Sequence, residues 1–316
     1  MDPAAFCRSA RVLIVAGKGG VGKTTVTAAM AVMASRAGLR TLIVEIEGKS
    51  GLAGVFGRRG PLSYDEVVLA GPASGRAEIR ARTLTPDDAL IDYLVDHGLK
   101  RVSKRLASSG ALDVVATAVP GLRDILVLGK VKSLEKSGVA DLILLDAPAA
   151  GHAVTFLTSA RGLLDAFRVG PVRTQASEVV SLLADPQRCQ VVLVTLPEET
   201  PVNEVVETAY KIEDRVGVSL LPVVVNGVYP PVPGLDAEGV PDVANTTALG
   251  EAARFRLARH ALQSEQMDRL SEQLPLPQLH LPYIFSTDLG LAEVEVLADA
   301  LTKGVRSLPD HEGASR

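Results

Sequence analysis

The sequence predicts an α/β protein with a doubly wound, mostly parallel sheet and an inserted helical subdomain. Five nearly continuous apolar runs, rich in β-branched residues and leucine, alternate with segments of helical spacing. Such runs are typical of strands whose two faces are both covered. A glycine-rich turn also joins the first run to the first long helix. Together these observations predict a parallel sheet between two layers of helices.

The five apolar runs are the predicted central strands. They comprise residues 11–16, 41–46, 141–146, 190–195 and 221–226. Residues 77–83 and 277–283 have a weaker strand pattern, and we expect them at the outside of the sheet. The helix after the first strand is predicted to begin at Lys23.

Two segments with helical spacing and no clear strand are predicted insertions, at approximately residues 86–138 and 153–184. We expect their helices to be stacked beyond one end of the sheet. A long polar helix is predicted from about residue 246 to 273. The 316 residues are enough for a substantial core. We therefore predict one domain over residues 1–316, with a flexible tail at 305–316.

Composition excludes several function classes. The net charge of -4 and the 3% aromatic content, with no tryptophan, argue against a nucleic-acid partner. No apolar run reaches the roughly 18 residues of a spanning helix, and the N-terminus does not resemble a signal peptide. We expect a cytoplasmic protein without direct membrane insertion. Cys7 and Cys189 have no metal-ligand spacing, so we expect a tail thiol, a buried thiol and no zinc.

The turn after the first strand has the pattern of a phosphate-binding loop. Gly17, Gly22, Lys23 and Thr24 satisfy G-x-x-x-x-G-K-[ST] between a strand and a helix. Backbone N–H groups of such a loop curl around phosphate oxygens, and the helix N-terminus adds partial positive charge. Lys23 is expected to reach the β- and γ-phosphates of a nucleotide, and Thr24 to bind Mg²⁺.

Carboxylates follow two of the predicted strands. Asp146 ends the third central run and is expected near the metal, although strand-end aspartates also cap the next loop. Glu45 and Glu47 close the second run, and strand alternation places both on one side. We predict that Thr24, Glu47 and Asp146 surround the metal, and that Glu47 orients the attacking water.

The motif GKGGVGKTT resembles the deviant Walker A motif of the MinD, ParA and ArsA class of P-loop ATPases, in which Lys18 is the signature lysine. The segment DAPAAGHAVTFL resembles switch II of the ArsA, or anion-transporting ATPase, family. The phrases VEIEGKSG, VPGLRDIL and GPVRTQA are most similar to its paired actinobacterial members. This resemblance implies an ATP site made of Gly17, Lys18, Gly19, Gly20, Val21, Gly22, Lys23, Thr24, Thr25, Asn226, Pro282 and Tyr283.

The resemblance also implies a dimer. The counterpart of Lys18 reaches phosphate oxygens, in many relatives across the dimer interface, as an arginine finger does. The alternative is a lysine that only adds charge to its own loop. The implied catalytic residues are Lys18, Glu47 and Asp146. The partner is expected to be a second copy or a sister ATPase of the same family.

Three departures from the family pattern bear on activity and cargo. Glu47 stands where relatives have an aspartate, and Ala150 replaces a threonine of switch II, so hydrolysis is expected to be slow or partner-dependent. His152 is retained, either as a nucleotide sensor or as a helix cap. Neither the clustered thiolates of arsenite pumps nor a C-x-x-C zinc motif is present, which disfavours arsenite transport.

Two functions remain open. The first is an ATP-driven chaperone or targeting factor, whose apolar stripes, such as Leu90, Leu94 and Leu99, would line a groove for a hydrophobic client. Ordinary packing against the sheet explains the same leucines. The second is a regulatory or structural module that ATP holds as a dimer with little turnover. A membrane-positioning role is weaker, because the acidic, polar C-terminus is not an amphipathic membrane anchor.

Overall fold

A computed structural model describes residues 1–46, 51–73, 75–96, 98–101, 103, 121–235 and 247–309 of the chain. In chain order its elements are α1 (Pro3–Cys7), β1 (Val12–Gly17), α2 (Lys23–Arg36), β2 (Thr41–Ile46), α3 (Gly51–Val55), β3 (Val67–Ala70), β4 (Ile79–Leu84), α4 (Pro86–Asp96), α5 (Leu122–Ser137), β5 (Leu142–Ala149), α6 (Ala150–Ala166), α7 (Pro171–Ala184), β6 (Cys189–Thr195), α8 (Glu199–Val216), β7 (Ser219–Leu220), β8 (Val223–Val228), α9 (Ala248–Gln273), β9 (Gln278–Pro282) and α10 (Leu291–Ser307).

The described strands form one mostly parallel sheet, as predicted. Its order is β3-β4-β2-β5-β1-β6-β8-β9, and β7 pairs with β6. The β3–β4 pair is antiparallel, and the other pairs are parallel. The short strands β3 and β7 were not predicted, since two to four residues carry too little pattern to identify a strand. The order places β1, which leads into the glycine-rich turn, between β5 and β6.

Helices cover both faces of the sheet. Alternate strand residues, such as Leu13 and Ile43, pack with α1, α2, α3 and α10 on one face. Their neighbours, such as Ile14 and Val44, pack with α5, α6, α7 and α8 on the other. Burial on both faces explains why the central strands are apolar at almost every position.

The predicted insertions are helical where the structure describes them, but most of their helices do not stand beyond the sheet. Side chains of α5, α6 and α7, such as Ile125, Phe156 and Val179, are buried in the same core as β1 and β5. The outer helix α4 instead packs on α5 through Ala89, Leu90 and Leu126. The expected position was wrong for α5–α7, because their apolar stripes are needed to cover the sheet face.

The structure corrects several boundaries. Helix α10 includes residues 305–307 of the predicted tail, because Val305 is fully buried against the core. Strand β5 continues three residues past Asp146, to Ala149. Cys7 is not a tail thiol, since α1 buries it to 1% exposure.

Among the helices of the described ranges, none combines the length and the apolar character needed to cross a membrane.

Candidate nucleotide site

The glycine-rich turn joins β1 to α2, and two of its glycines are required by close contacts. A Cβ on Gly17 would lie 2.2 Å from the carbonyl oxygen of Val194 in β6. Gly22, at the start of α2, has a φ of +86°, and a Cβ there would lie 2.3 Å from Nδ2 of Asn226. A side chain at position 17 would push the loop away from β6, and the left-handed φ at position 22 is one that residues with a side chain rarely adopt. The two glycines therefore let the loop lie directly on the sheet edge.

Lys23 lies folded over this loop. It is the first residue of α2 and is 8% exposed. Its Nζ donates hydrogen bonds to the carbonyl oxygens of Gly17 and Lys18, both at 3.0 Å. The ammonium group thus already lies inside the turn, where it can exchange these neutral acceptors for phosphate oxygens.

Two oxygen groups meet beside the loop at the end of β5. The Thr24 hydroxyl donates a 2.6 Å hydrogen bond to Oδ2 of Asp146. Asp146 is fully buried and is aligned with Val15 on β1 and with Glu45 on β2, which is also fully buried. Hydroxyl and carboxylate oxygens are the ligands that Mg²⁺ prefers. The pair therefore fits one side of a magnesium site whose other ligands are phosphate and water.

The described residues contain no group of three or more histidine, cysteine, aspartate or glutamate side chains arranged around a metal. Glu47, the third predicted ligand and the proposed water-orienting residue, lies outside the described residues.

The signature lysine has a partner that the sequence did not indicate. Lys18 Nζ lies 2.7 Å from Oε1 of Glu204 on α8, and the two side chains are 34% and 40% exposed. Glu204 is 186 residues away in the chain and belongs to no recognisable motif. Lys18 is therefore turned toward α8, and about a third of its side chain remains exposed.

A cleft of about 310 Å³ continues from the loop toward β8 and β9. Gly20, Gly22 and Thr25 line one side of it. Asn226, Pro282 and Tyr283 line the other, together with Leu196 and Ser286, which the sequence did not indicate. One Nδ2 hydrogen of Asn226 bonds to the carbonyl oxygen of Val21 at 2.9 Å. Its other N–H and its Oδ1 form a donor–acceptor pair of the kind with which an asparagine can bind the edge of an adenine base.

Switch II is only partly described. The side chain of Ala150 lies outside the described residues. His152 is exposed and lines a separate cavity of about 290 Å³ with Arg123, Asp124 and Pro148. His152 therefore faces the start of α5, and its expected role as a nucleotide sensor or helix cap stays a prediction.

Most of the predicted site residues thus lie along one edge of the sheet, at the carboxyl ends of its strands. They are Gly17–Thr25, Asp146, Asn226, Pro282 and Tyr283. Ligands of open α/β sheets bind at this edge. Their individual roles remain predictions.

Comparison with known proteins identifies similar chains. A model of the anion-transporting ATPase family matches residues 10–169, half of the chain. ATPase BagA of Mycobacterium tuberculosis is 36% identical over 204 residues, which are 62% of this chain and 59% of that protein. A putative arsenical pump-driving ATPase of Halobacterium salinarum is 25% identical over 303 residues, 90% of this chain and 43% of that protein.

The arsenical pump-driving ATPase of Escherichia coli is 27% identical over 241 residues, 69% of this chain and 39% of that protein. The chain therefore spans 59% of the mycobacterial relative and less than half of either arsenical relative.

Proposed function

Because the chain belongs to the anion-transporting ATPase family, we propose that it is a dimeric switch that binds ATP with Mg²⁺ and hydrolyses it. The observation that carries this proposal is the position of Lys23 inside the loop, beside the Thr24–Asp146 pair. One end of the site thus offers a cation and two metal-binding oxygens, as a triphosphate requires.

In this proposal, different residues along the cleft bind different parts of the nucleotide. The N–H groups of the loop and the N-terminus of α2 bind the phosphates, and Lys23 places its charge on them. The oxygens of Thr24 and Asp146 hold Mg²⁺, which when bound offsets phosphate charge. At the other end, Asn226 recognises the base and Tyr283 covers it. Glu47 is proposed to orient the attacking water.

We propose that Lys18 acts on the nucleotide of a partner subunit, either a second copy or a sister ATPase. The support is that Lys18 bonds to Glu204 on α8, while Lys23 alone is folded over the loop of its own subunit. A third of the Lys18 side chain is exposed, so it can leave Glu204 without unpacking the core. In this proposal the active site is complete only in the dimer.

Arsenite is disfavoured as cargo on the chemistry of the two cysteines. Cys7 packs on one face of the sheet and Cys189 on the other, so they cannot share a ligand. Burial raises the pKa of each thiol to about 12, which keeps both protonated. A protonated, buried thiol is a poor ligand for a soft ion.

We propose an apolar protein segment as the client instead. Of the leucines that suggested it, Leu90 is buried against α5 and Leu94 packs beside it, whereas Leu99 is 46% exposed. Phe156, Leu157 and Leu163 of α6 are in the core and cannot line a groove. The apolar side chains that remain open to a client include Leu249 and Phe255 of α9, which are 81% and 64% exposed.

One observation favours the alternative, an ATP-held dimer with little turnover. The Lys18–Glu204 ion pair turns the proposed catalytic lysine toward α8 rather than over its own loop. A subunit in this state would bind ATP and hydrolyse it slowly. Partner-stimulated turnover distinguishes the two functions.

The test is steady-state phosphate release with and without Mg²⁺, for the protein alone and mixed with a sister ATPase of the same family. We expect Mg²⁺-dependent release, and we expect the rate per subunit to rise with protein concentration or on mixing. Tight ATP binding without release in either sample would leave only the structural alternative.

Lys23→Ala is the matched loss-of-binding variant. We expect ATP affinity to fall by about 100-fold or more, because the charge that meets the phosphates is removed. Lys18→Ala should instead keep ATP affinity and lose turnover or ATP-dependent dimerisation. Unchanged ATP binding by Lys23→Ala would contradict the loop assignment, and unchanged turnover and dimerisation by Lys18→Ala would contradict the role in the partner's site.

A further inference from the structure

We propose that Gln263 of α9 is a positioning residue that sets the affinity and selectivity of the cleft for the nucleotide base. The inference rests on the proposed function, because it concerns the base-binding wall of the same cleft. Gln263 does not touch the cleft itself. It acts through the backbone that follows Asn226.

Both ends of the Gln263 amide are bound to this backbone. Its Nε2 donates to the carbonyl oxygen of Gly227 at 3.0 Å, and its Oε1 accepts from the N–H of Tyr229 at 2.8 Å. The residue is 2% exposed, so water cannot replace either bond. A buried amide with both ends satisfied holds one geometry, because each unmade bond would leave a buried polar group without a partner.

The segment that Gln263 holds, Gly227–Tyr229, supports the part of the cleft proposed to bind the base, and we call it the base wall. It begins directly after Asn226, whose amide faces the cleft beside Gly22. Its middle residue, Val228, accepts a 2.8 Å hydrogen bond from the N–H of Tyr283. The ring of Tyr229 stacks on the ring of Tyr283, with centroids 4.9 Å apart and planes 20° apart. A shift of this segment therefore moves the Asn226 amide and the Tyr283 ring, the two groups proposed to contact the base.

Two arginines of α9 reinforce the same contact. Residues 256, 259 and 263 recur at helical spacing and lie on one face of the helix. The Arg256 guanidinium lies 4.6 Å from the Tyr229 ring centroid and that of Arg259 lies 5.7 Å from it. Arg256 also donates to the carbonyl oxygen of Pro230 at 3.0 Å, and Arg259 pairs with Glu198. This face of α9 thus packs against the base wall.

The bland explanation is that Gln263 only stabilises the fold, and the chain supplies a matched control for it. Gln266 is one turn further along α9, has the same side chain and is 6% exposed. Its Oε1 has no hydrogen-bond partner among the described residues. A variant at Gln266 therefore changes a buried amide of the same helix without changing the wall.

The experiment compares Gln263→Met with Gln266→Met, since methionine fills a similar volume without donating or accepting strongly. Binding of ATP, GTP and inorganic tripolyphosphate is measured by calorimetry on the full chain. For Gln263→Met we expect ATP affinity to fall ~tenfold and the ATP preference over GTP to shrink. Tripolyphosphate affinity should change by less than about twofold, because the loop is untouched.

Unchanged ATP affinity in Gln263→Met, or an equal loss for ATP and tripolyphosphate, would overturn the proposal in favour of a purely structural role. An equal loss in Gln266→Met would do the same. If the wild-type chain binds neither ATP nor tripolyphosphate, the proposed function itself fails, and that outcome is distinct from the other three.

Discussion

Removing the Glu204 carboxylate should make the switch easier to assemble. In Glu204→Gln the 2.7 Å ion pair to Lys18 is replaced by a neutral contact. A partly exposed pair of this kind contributes about 0.5–1 kcal/mol, which is about two- to fivefold in an equilibrium constant. If Lys18 must leave Glu204 to reach a partner's phosphate, the variant should form the active dimer at a correspondingly lower concentration of partner.

The assay is phosphate release measured as a function of protein concentration. We expect the concentration at half-maximal specific activity to fall by about two- to fivefold in Glu204→Gln. Glu207→Gln is the matched control, because Glu207 lies one turn further on α8 and pairs with Lys211 rather than Lys18. It removes the same charge from the same helix.

Salt provides a second readout, since ions screen an exposed pair. The difference between Glu204→Gln and the wild type should therefore shrink as salt is added. A midpoint that is unchanged or higher in Glu204→Gln would refute the idea that Glu204 restrains Lys18. An equal shift in Glu207→Gln would assign the effect to net charge.

Two further predictions concern stability. Gly17→Ala should lower the free energy of unfolding by about 3 kcal/mol or more, because its Cβ would lie 2.2 Å from the Val194 carbonyl oxygen in a buried strand pair; an unchanged urea midpoint would contradict this contact. Hydrogen bonds from Arg40 hold the pKa of Asp141 below its usual range, which gives stability that is present above the unfolded pKa and lost as pH falls through the folded one. Asp141→Asn should therefore lower the urea midpoint at about pH 7 and have less effect near pH 3, and a pH-independent difference would contradict the linkage.

The central strands and the loop could be predicted from local pattern alone. A strand buried on both faces is apolar throughout, and a turn that must contact β6 and β8 needs glycine at Gly17 and Gly22. These requirements act on neighbouring residues, so a short stretch of sequence reveals them.

The placement of the helices was harder to predict. An apolar stripe shows that a helix is covered, but Ile125 of α5 and Leu90 of α4 have the same character and pack against different partners. Cys7 was misplaced for a related reason. Only the docking of α1 on α2 and α10 shows that a residue so near the N-terminus is buried.

The sequence by itself determined that this chain has an α/β sheet and a loop with the phosphate-binding pattern. The order of apolar strands and helices, the glycine positions and the K-G-G-x-G-K-T pattern are all local properties. Tertiary structure alone decided that Lys18 faces Glu204 and that Gln263 holds the backbone behind Asn226. Both contacts join residues from distant parts of the chain. In the sequence, a polar residue on a helix has the same pattern whether its side chain is in solvent or bonds to a neighbouring segment. Their roles follow only from what the folded chain brings beside them.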